Sequence, residues 1–273
     1  MSVLNAQLEK LLANAERIKT DEFTMVIDDY RDLFVSHSLR LRPSVNSISL
    51  VSCSILAPQL GFSSITSGSA LRSKLAALKE GTLSLKAPAR PTPEKSVQSW
   101  LISQAMQNAG RIKSVEDALG DGHSYWYVSD EIALNGLDET NHEKKRERIV
   151  ADMLLMRKSS KGDCEIVNVE LKSNRSTETH SQILKFWQFM GPDQFNLWRE
   201  FAETMLDTGP DRWKDVNGSR GIVIWPGALS QSRPNERTAK LVSQYRSKGI
   251  ETICYSGAEY VFQTEPSCER PGP

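Results

Sequence analysis

The sequence has no long apolar run and no excess of charge, and each absence removes a class of protein. No stretch of the 273 residues stays apolar for the length of a membrane span. The N-terminus also lacks the basic start and apolar block of a signal peptide. Lysine plus arginine equals aspartate plus glutamate at 34 each, so no bulk positive field favours nucleic acid or an anionic membrane. We therefore expect a soluble, cytoplasmic protein with no membrane partner.

Paired cysteines are also missing. Cys53, Cys164, Cys254 and Cys268 are widely spaced and form no CxxC motif, which gives little support to a zinc or iron–sulfur site. Free thiols in a reducing compartment are the simpler interpretation. The chain is long enough to bury one large core, or a core domain with a smaller appendage.

Proline marks the best boundary, because three prolines fall close together in KAPARPTPEKS and interrupt both helix and strand. We divide the chain into an N-terminal region (1–90), a core (91–262) and a disordered tail (263–273). Apolar spacing predicts N-terminal helices over 5–19, 22–35 and 70–79. The serine-rich residues 44–69 fit either strands or an ordered loop. Recognition of DNA, dimerisation and partner binding all stay open for this region.

The sequence of the core predicts both helices and strands. The predicted elements are a helix over 94–108, strands over 124–134, 149–156 and 165–173, a helix over 179–208 with an interruption at Gly-Pro-Asp, a strand over 221–227, a helix over 235–249 and a strand over 250–257. This order indicates an α/β or α+β fold, in which helices pack on a central sheet.

Two of the predicted strands carry charges where a buried strand should be apolar. Asp152 lies within RIVADMLLM, whereas Glu170 and Lys172 end EIVNVELKS. Side chains alternate along a strand, so Glu170 and Lys172 point the same way. A hairpin about the Gly-Asp turn brings Asp152 near them.

Such a cluster favours metal chemistry. Two neighbouring carboxylates repel unless a cation neutralises them, and magnesium prefers oxygen ligands. Lys172 would then orient or deprotonate a water, or stabilise charge on a phosphate. The alternative is that the triplet arises by chance and has no function, since Glu143 to Lys145 repeats the Glu-x-Lys pattern in a charged connector. In that case the three side chains would not converge.

Asp152 followed by Glu170-Leu171-Lys172, each closing an apolar strand, resembles the PD-(D/E)XK nuclease superfamily over residues 92–257. The resemblance implies a restriction-endonuclease-like core with a central mixed β-sheet flanked by helices. It implies a magnesium-dependent endonuclease acting on DNA, of restriction, phage-defence or repair type, with manganese as a substitute metal. Asp152, Glu170 and the backbone carbonyl of Leu171 correspond to metal ligands, and Lys172 to the catalytic lysine.

Two residues outside the triplet extend the resemblance. Some members carry a glutamate on the opening helix, and Glu94 would then be a further ligand and catalytic residue; otherwise it is a first-turn acid favoured by the helix dipole. One branch carries Gln-x-x-x-Tyr after the Glu-x-Lys strand, which matches Gln182 as a catalytic residue. Phe186 replaces that tyrosine, and it fits an ordinary core position equally well. Ala151 replaces the proline that often precedes the first acid.

Basic residues around the triplet would contact phosphates, or else form solvated loops. They are Lys144, Lys145, Arg146, Arg148, Arg157, Lys158, Arg175 and Lys185. His142 and His180 flank the region as candidate ligands or ordinary surface residues. The alternative function is a catalytically inactive module that binds nucleic acid or assembles with the same fold. By analogy with enzymes that pair two sites, a homodimer is a further expectation.

Overall fold

A computed structural model of the chain describes residues 3–36, 41–43, 45–46, 50–52, 67–83, 93–137, 146–174, 179–188, 194–206, 213, 216–227, 236–257 and 260–264. Most of the proline-rich boundary, of the charged connector and of the serine-rich segment lies outside these residues. Cys53 and Cys268 lie outside them as well, whereas Cys164 and Cys254 are buried and form no disulfide within the described residues. No helix in the described ranges is long and apolar enough to cross a bilayer.

Helices dominate the described part of the N-terminal region, as its apolar spacing predicts. The elements are α1 (Val3–Lys19), α2 (Glu22–Asp29), α3 (Arg31–Ser36), the paired short strands β1 (Leu41–Pro43) and β2 (Leu50–Ser52), and α4 (Gly68–Lys79). The prediction of one continuous helix over 22–35 is wrong. Tyr30 leaves the helical conformation with φ −112° and ψ 21°, so α2 ends there and α3 starts at the next residue.

The core contains the predicted succession of helices and strands. Its elements are α5 (Pro93–Gln107), α6 (Lys113–Leu119), β3 (Ser124–Leu137), β4 (Arg146–Lys158), β5 (Cys164–Leu171), α7 (Thr179–Gln188), α8 (Phe195–Leu206), β6 (Val216–Pro226), α9 (Glu236–Arg246), β7 (Ile250–Ser256) and β8 (Val261–Thr264). Our prediction omitted α6 and β8. The prediction that the disordered tail begins at residue 263 is wrong for residues 263 and 264, because they pair with β7; the rest of the tail lies outside the described residues.

Strands β3 to β8 form one mixed sheet in the order β3-β4-β5-β6-β7-β8. The first three strands are mutually antiparallel, β5, β6 and β7 are parallel, and β8 returns antiparallel to β7. Gly162 has φ +99° in the turn between β4 and β5, a conformation that favours glycine. The α/β class with a mixed sheet is therefore confirmed.

Helices cover both faces of this sheet. Val97 and Leu101 of α5 pack with Val167 of β5 on one face. Phe186 of α7 and Trp198 of α8 belong to the cluster on the other face. Because both faces are covered, β5 is buried along almost its whole length, so a charged residue in it has to find a partner inside the protein.

The N-terminal region packs directly onto the core. Leu8, Leu11 and Ala15 of α1 belong to the same hydrophobic cluster as Trp198 and Phe201 of α8. These leucines are at most 5% exposed, so burying them removes apolar surface of both regions from water. Helix α1 is therefore part of the structure that supports the sheet.

Two amide side chains from the N-terminal region bond to the outer edge of β3. Gln7 donates to Asn135 O and accepts from Asn135 N, both at 2.7 Å. Asn46 donates to Glu131 O at 2.6 Å and accepts from Ala133 N at 3.0 Å. Each amide thus offers a donor and an acceptor, as a neighbouring strand would, and satisfies part of an otherwise open edge.

Candidate active site

Asp152 and Glu170 face each other where the ladder between β4 and β5 ends. The last paired residues are Met153 and Val169, and Asp152 and Glu170 are the next residues on each strand. The Asp152 Oδ2 atom accepts a hydrogen bond from the Leu171 amide at 2.8 Å. The Asp152 side-chain oxygen thus accepts a hydrogen bond of the kind that a strand carbonyl accepts in a regular ladder. This hydrogen bond holds the Asp152 carboxylate beside β5.

Lys172 lies directly after β5 and completes the predicted triplet. Its Nζ atom is 3.2 Å from Glu170 Oε2, and its amide donates to Ile224 O of β6 at 2.9 Å. The Lys172 side chain is 22% exposed, whereas that of Glu170 is 3% exposed. The lysine therefore lies between the buried acid and solvent, at the carboxyl ends of the parallel strands, where ligands bind in many α/β folds.

The two acids are not neutralised by the groups around them. Burial, followed by the charge of the adjoining Asp152 carboxyl and a hydrogen bond shared with it, outweighs the opposing effect of Lys172, and together these raise the pKa of Glu170 to about 8. Burial also raises the pKa of Asp152, against the Leu171 amide and the Lys172 charge. Lys172 is thus the one cation of the triplet, and two carboxyl groups share it. The metal-free site therefore retains a proton near neutral pH.

The donor set fits a hard divalent cation better than a soft one, because it consists of carboxylate oxygens. A bound cation would offset both the burial that chiefly raises the two pKa values and the Asp152 charge that adds to the pKa of Glu170. Among the described residues, no three His, Cys, Asp or Glu side chains group closely enough to hold a metal by themselves. A cation would therefore need Asp152, Glu170, backbone oxygen and water together.

Glu94 lies at the same edge but has a different partner. Its Oε1 atom accepts from the Ser173 amide at 2.7 Å, so it fixes the main chain immediately after Lys172. Its charge also contributes to the raised pKa of Tyr255 on β7, after burial and Tyr260. The structure thus brings Glu94 to the segment beside the triplet without forming a group of three acids with Asp152 and Glu170.

Gln182 and Phe186 lie one turn apart on α7 but in different environments. Gln182 is exposed on α7, whereas Phe186 is fully buried and lies 5.9 Å from Trp198 between ring centroids. Phe186 therefore occupies a core position, the second of the two readings that the sequence allowed. His180 begins the same helix, and His142 lies outside the described residues.

The expectation of a basic patch around the triplet is wrong for Arg157. Its side chain is 9% exposed and donates to Asp121 Oδ2 at 3.1 Å, and it also pairs with Glu165. Its Nε atom donates to the Tyr125 hydroxyl at 3.1 Å, and Arg220 of β6 donates to Glu165 at 2.8 Å. We call these five side chains the turn-end cluster, since they lie toward the β4–β5 turn.

The other basic residues have varied positions. Arg148 is exposed on β4, and the Lys158 ammonium lies 5.4 Å from the centroid of the Trp213 ring. Lys144, Lys145 and Arg175 lie outside the described residues, and Arg146 begins β4. A continuous phosphate-binding surface thus stays a prediction.

Sequence reasoning missed three residues that adjoin Asp152. Gln98 of α5 donates to the Asp152 carbonyl oxygen at 2.6 Å and to Glu131 Oε1 at 3.0 Å. Lys95 donates to Gln98 Oε1 at 3.0 Å and pairs with Glu131. Gln98 could have been recognised from the sequence, because it is a polar residue that interrupts the apolar stripe of α5 between Val97 and Leu101. No sequence pattern indicates Glu131, since its position depends on tertiary contacts.

Comparisons with known proteins add no relative to this description. Scans against protein-family models, curated proteins and solved structures gave no match to this chain.

Proposed function

We propose that the protein is a magnesium-dependent endonuclease that hydrolyses phosphodiester bonds in DNA and has the restriction-endonuclease-like fold of the family that its sequence resembles. The observation that carries the proposal is the pair of adjoining carboxyl groups, half-buried Asp152 and buried Glu170, with Lys172 beside them. The succession of an opening helix, three antiparallel strands and two further parallel strands supports it.

Each residue of the triplet has a distinct role in this proposal. Asp152 and Glu170 would hold magnesium or manganese, with the backbone carbonyl of Leu171 as a further ligand. When bound, the cation supplies Lewis-acid polarisation of the phosphate and acidifies water. The partly exposed Lys172 side chain would orient the attacking water: as the neutral amine it would receive the proton of that water, and as the ammonium it would stabilise negative charge on the phosphate. Glu94 keeps the chain after Lys172 in place through Ser173.

Plasmid cleavage tests the assignment. Supercoiled DNA is incubated with magnesium or manganese and wild type, Asp152→Ala or Lys172→Ala. We expect nicked or linear product from the wild type only, with each variant slower by at least about 100-fold, because each loses a group that acts on the reacting phosphate. Lys161→Ala, in the β4–β5 turn at the opposite end of the hairpin, is the matched control and should cleave normally.

Two outcomes would count against the proposal. Equal cleavage by the wild type and both site variants would place the activity elsewhere. No cleavage by any of them, with DNA binding retained, would favour the inactive binding or assembly module. Gel filtration of the same samples would test whether the enzyme works as a homodimer.

A further inference from the structure

Gln98 is a fully buried polar residue whose side-chain amide is completely engaged. Its exposure is 0%, and its helix packs the apolar residues Val97 and Leu101 against the sheet. The Gln98 Nε2 atom donates two hydrogen bonds at the candidate site, one to the Asp152 carbonyl oxygen and one to the Glu131 carboxylate. A buried amide without partners is costly, so Gln98 depends on these groups as much as they depend on it.

The partner Glu131 has an unusual backbone. Its φ is +51°, in the left-handed region that residues other than glycine rarely adopt. It lies between the pairs Asp130–Met153 and Ile132–Ala151, and thus opposite Asp152. Ala151 and Leu154 belong to the same hydrophobic cluster although they are an odd number of residues apart, so the alternation of β4 is interrupted around Asp152.

Side-chain and main-chain contacts hold this irregular segment from two sides. Asn46 donates to the Glu131 carbonyl at 2.6 Å from the N-terminal region. Lys95 pairs with the Glu131 carboxylate from α5, so the third acid near Asp152 has its own cation. Unusual backbone that surrounding contacts enforce is concentrated at functional sites in proteins, which favours a role beyond packing.

We propose that Gln98 is a positioning residue for the metal site, and that Lys95 and Glu131 orient its amide. By fixing the Asp152 carbonyl where the β4–β5 ladder ends, Gln98 keeps the Asp152 carboxylate opposite Glu170. The inference rests on the proposed function, because it assumes that Asp152 and Glu170 bind a divalent cation. Lys95 and Glu131 act through Gln98 and the main chain, and their opposite charges also lie close enough to influence the Asp152 carboxyl.

Manganese titration of the metal-free protein by isothermal calorimetry tests the inference without using activity. Gln98→Met keeps the length of the side chain but loses its hydrogen-bond donors. We therefore expect manganese affinity to fall roughly 10-fold or more, as when other residues that hydrogen-bond to metal-binding residues are replaced. Gln104→Met is the matched control. It lies on the same helix, and its Oε1 atom accepts from the Ser114 amide and hydroxyl, away from the site.

The controls separate this inference from the proposed function. Loss of binding in Asp152→Asn, together with wild-type affinity in a folded Gln98→Met, would overturn the inference and leave the metal site intact. Absence of manganese binding by the wild type would reject both. If Gln98→Met does not fold, Glu131→Gln and Lys95→Met replace it, since both positions are partly exposed. We expect each to weaken manganese binding about threefold or more, and unchanged affinity in both would overturn the inference.

Discussion

The β4–β5 hairpin carries charged side chains at both ends, and the two ends are neutralised differently. In the turn-end cluster, Arg157 and Arg220 serve the two acids Asp121 and Glu165. At the opposite end, Asp152 and Glu170 share Lys172. Acids and cations are equal in number at the first end, whereas two acids share one cation at the second.

The pKa directions express this difference. Burial alone would raise the pKa of Asp121, but hydrogen bonds from Tyr125, the His123 amide and Arg157 bring it below its usual range. The pKa values of Asp152 and Glu170 are raised. Asp121 shows that a shielded acid is not by itself a sign of function, whereas two adjoining acids that share one cation fit the metal site that we propose.

The largest expected effect is the loss of Arg157. Arg157→Met leaves Asp121 and Glu165 without their shared cation, and we expect a loss of roughly 3–5 kcal/mol in the free energy of unfolding, as for other broken buried pairs. Urea unfolding measures it. The exposed Arg148→Met on the same strand is the control and should change stability by less than about 0.5 kcal/mol. Similar stabilities for the two variants would contradict the distinction between the two ends.

In metal-free protein, removal of the Glu170 carboxyl group should raise the free energy of unfolding, whereas loss of Arg157 should lower it. Its pKa is about 8 when folded against an ordinary value of 4.5, so between these values the folded protein holds more protons than the unfolded chain. Stability should therefore fall as pH rises from about 4.5 to about 8. Glu170→Gln removes this loss, and at pH 8 we expect it to exceed the wild type by on the order of 2 kcal/mol.

Urea unfolding in a chelator at pH 4, 6 and 8 checks this prediction, and the difference should vanish near pH 4. Glu165→Gln, an acid of the turn-end cluster, is the comparison variant. It should destabilise the protein at pH 8, because Arg157 and Arg220 then lose their shared partner. Destabilisation by both substitutions would show that the two ends do not differ in charge balance.

The smallest expected effect concerns the edge of β3. At the turn end this edge bonds to main chain, with Tyr127 N donating to Gly110 O at 2.8 Å. Near the site it bonds to the Asn46 side chain instead. Asn46→Ala should therefore cost about 1 kcal/mol and speed hydrogen exchange at the Ala133 amide. The Tyr127 amide is the internal control, and equal acceleration at both would mean that the whole strand loosens.

Local sequence patterns were sufficient to predict strands β3 to β7 and the meeting of the triplet, but not strand β8. Alternation placed Glu170 and Lys172 on one side, and the Gly-Asp turn set the pairing that brings Asp152 opposite Glu170. Arg157 was assigned wrongly to a basic surface, because its partner Asp121 lies 36 residues away in sequence. Glu131 was missed for the same reason, since its backbone conformation follows from contacts with α5 and the N-terminal region.

The amide side chains on β3 also bear on how the protein can assemble. A strand from another molecule would need the same carbonyl and amide groups that Gln7 and Asn46 already occupy. The N-terminal region thus closes this part of the sheet to strand addition, the route by which exposed edges form dimers or fibres. An assembly of two copies would have to use a different surface, and the region that precedes the α/β core would then serve as protection against unwanted pairing.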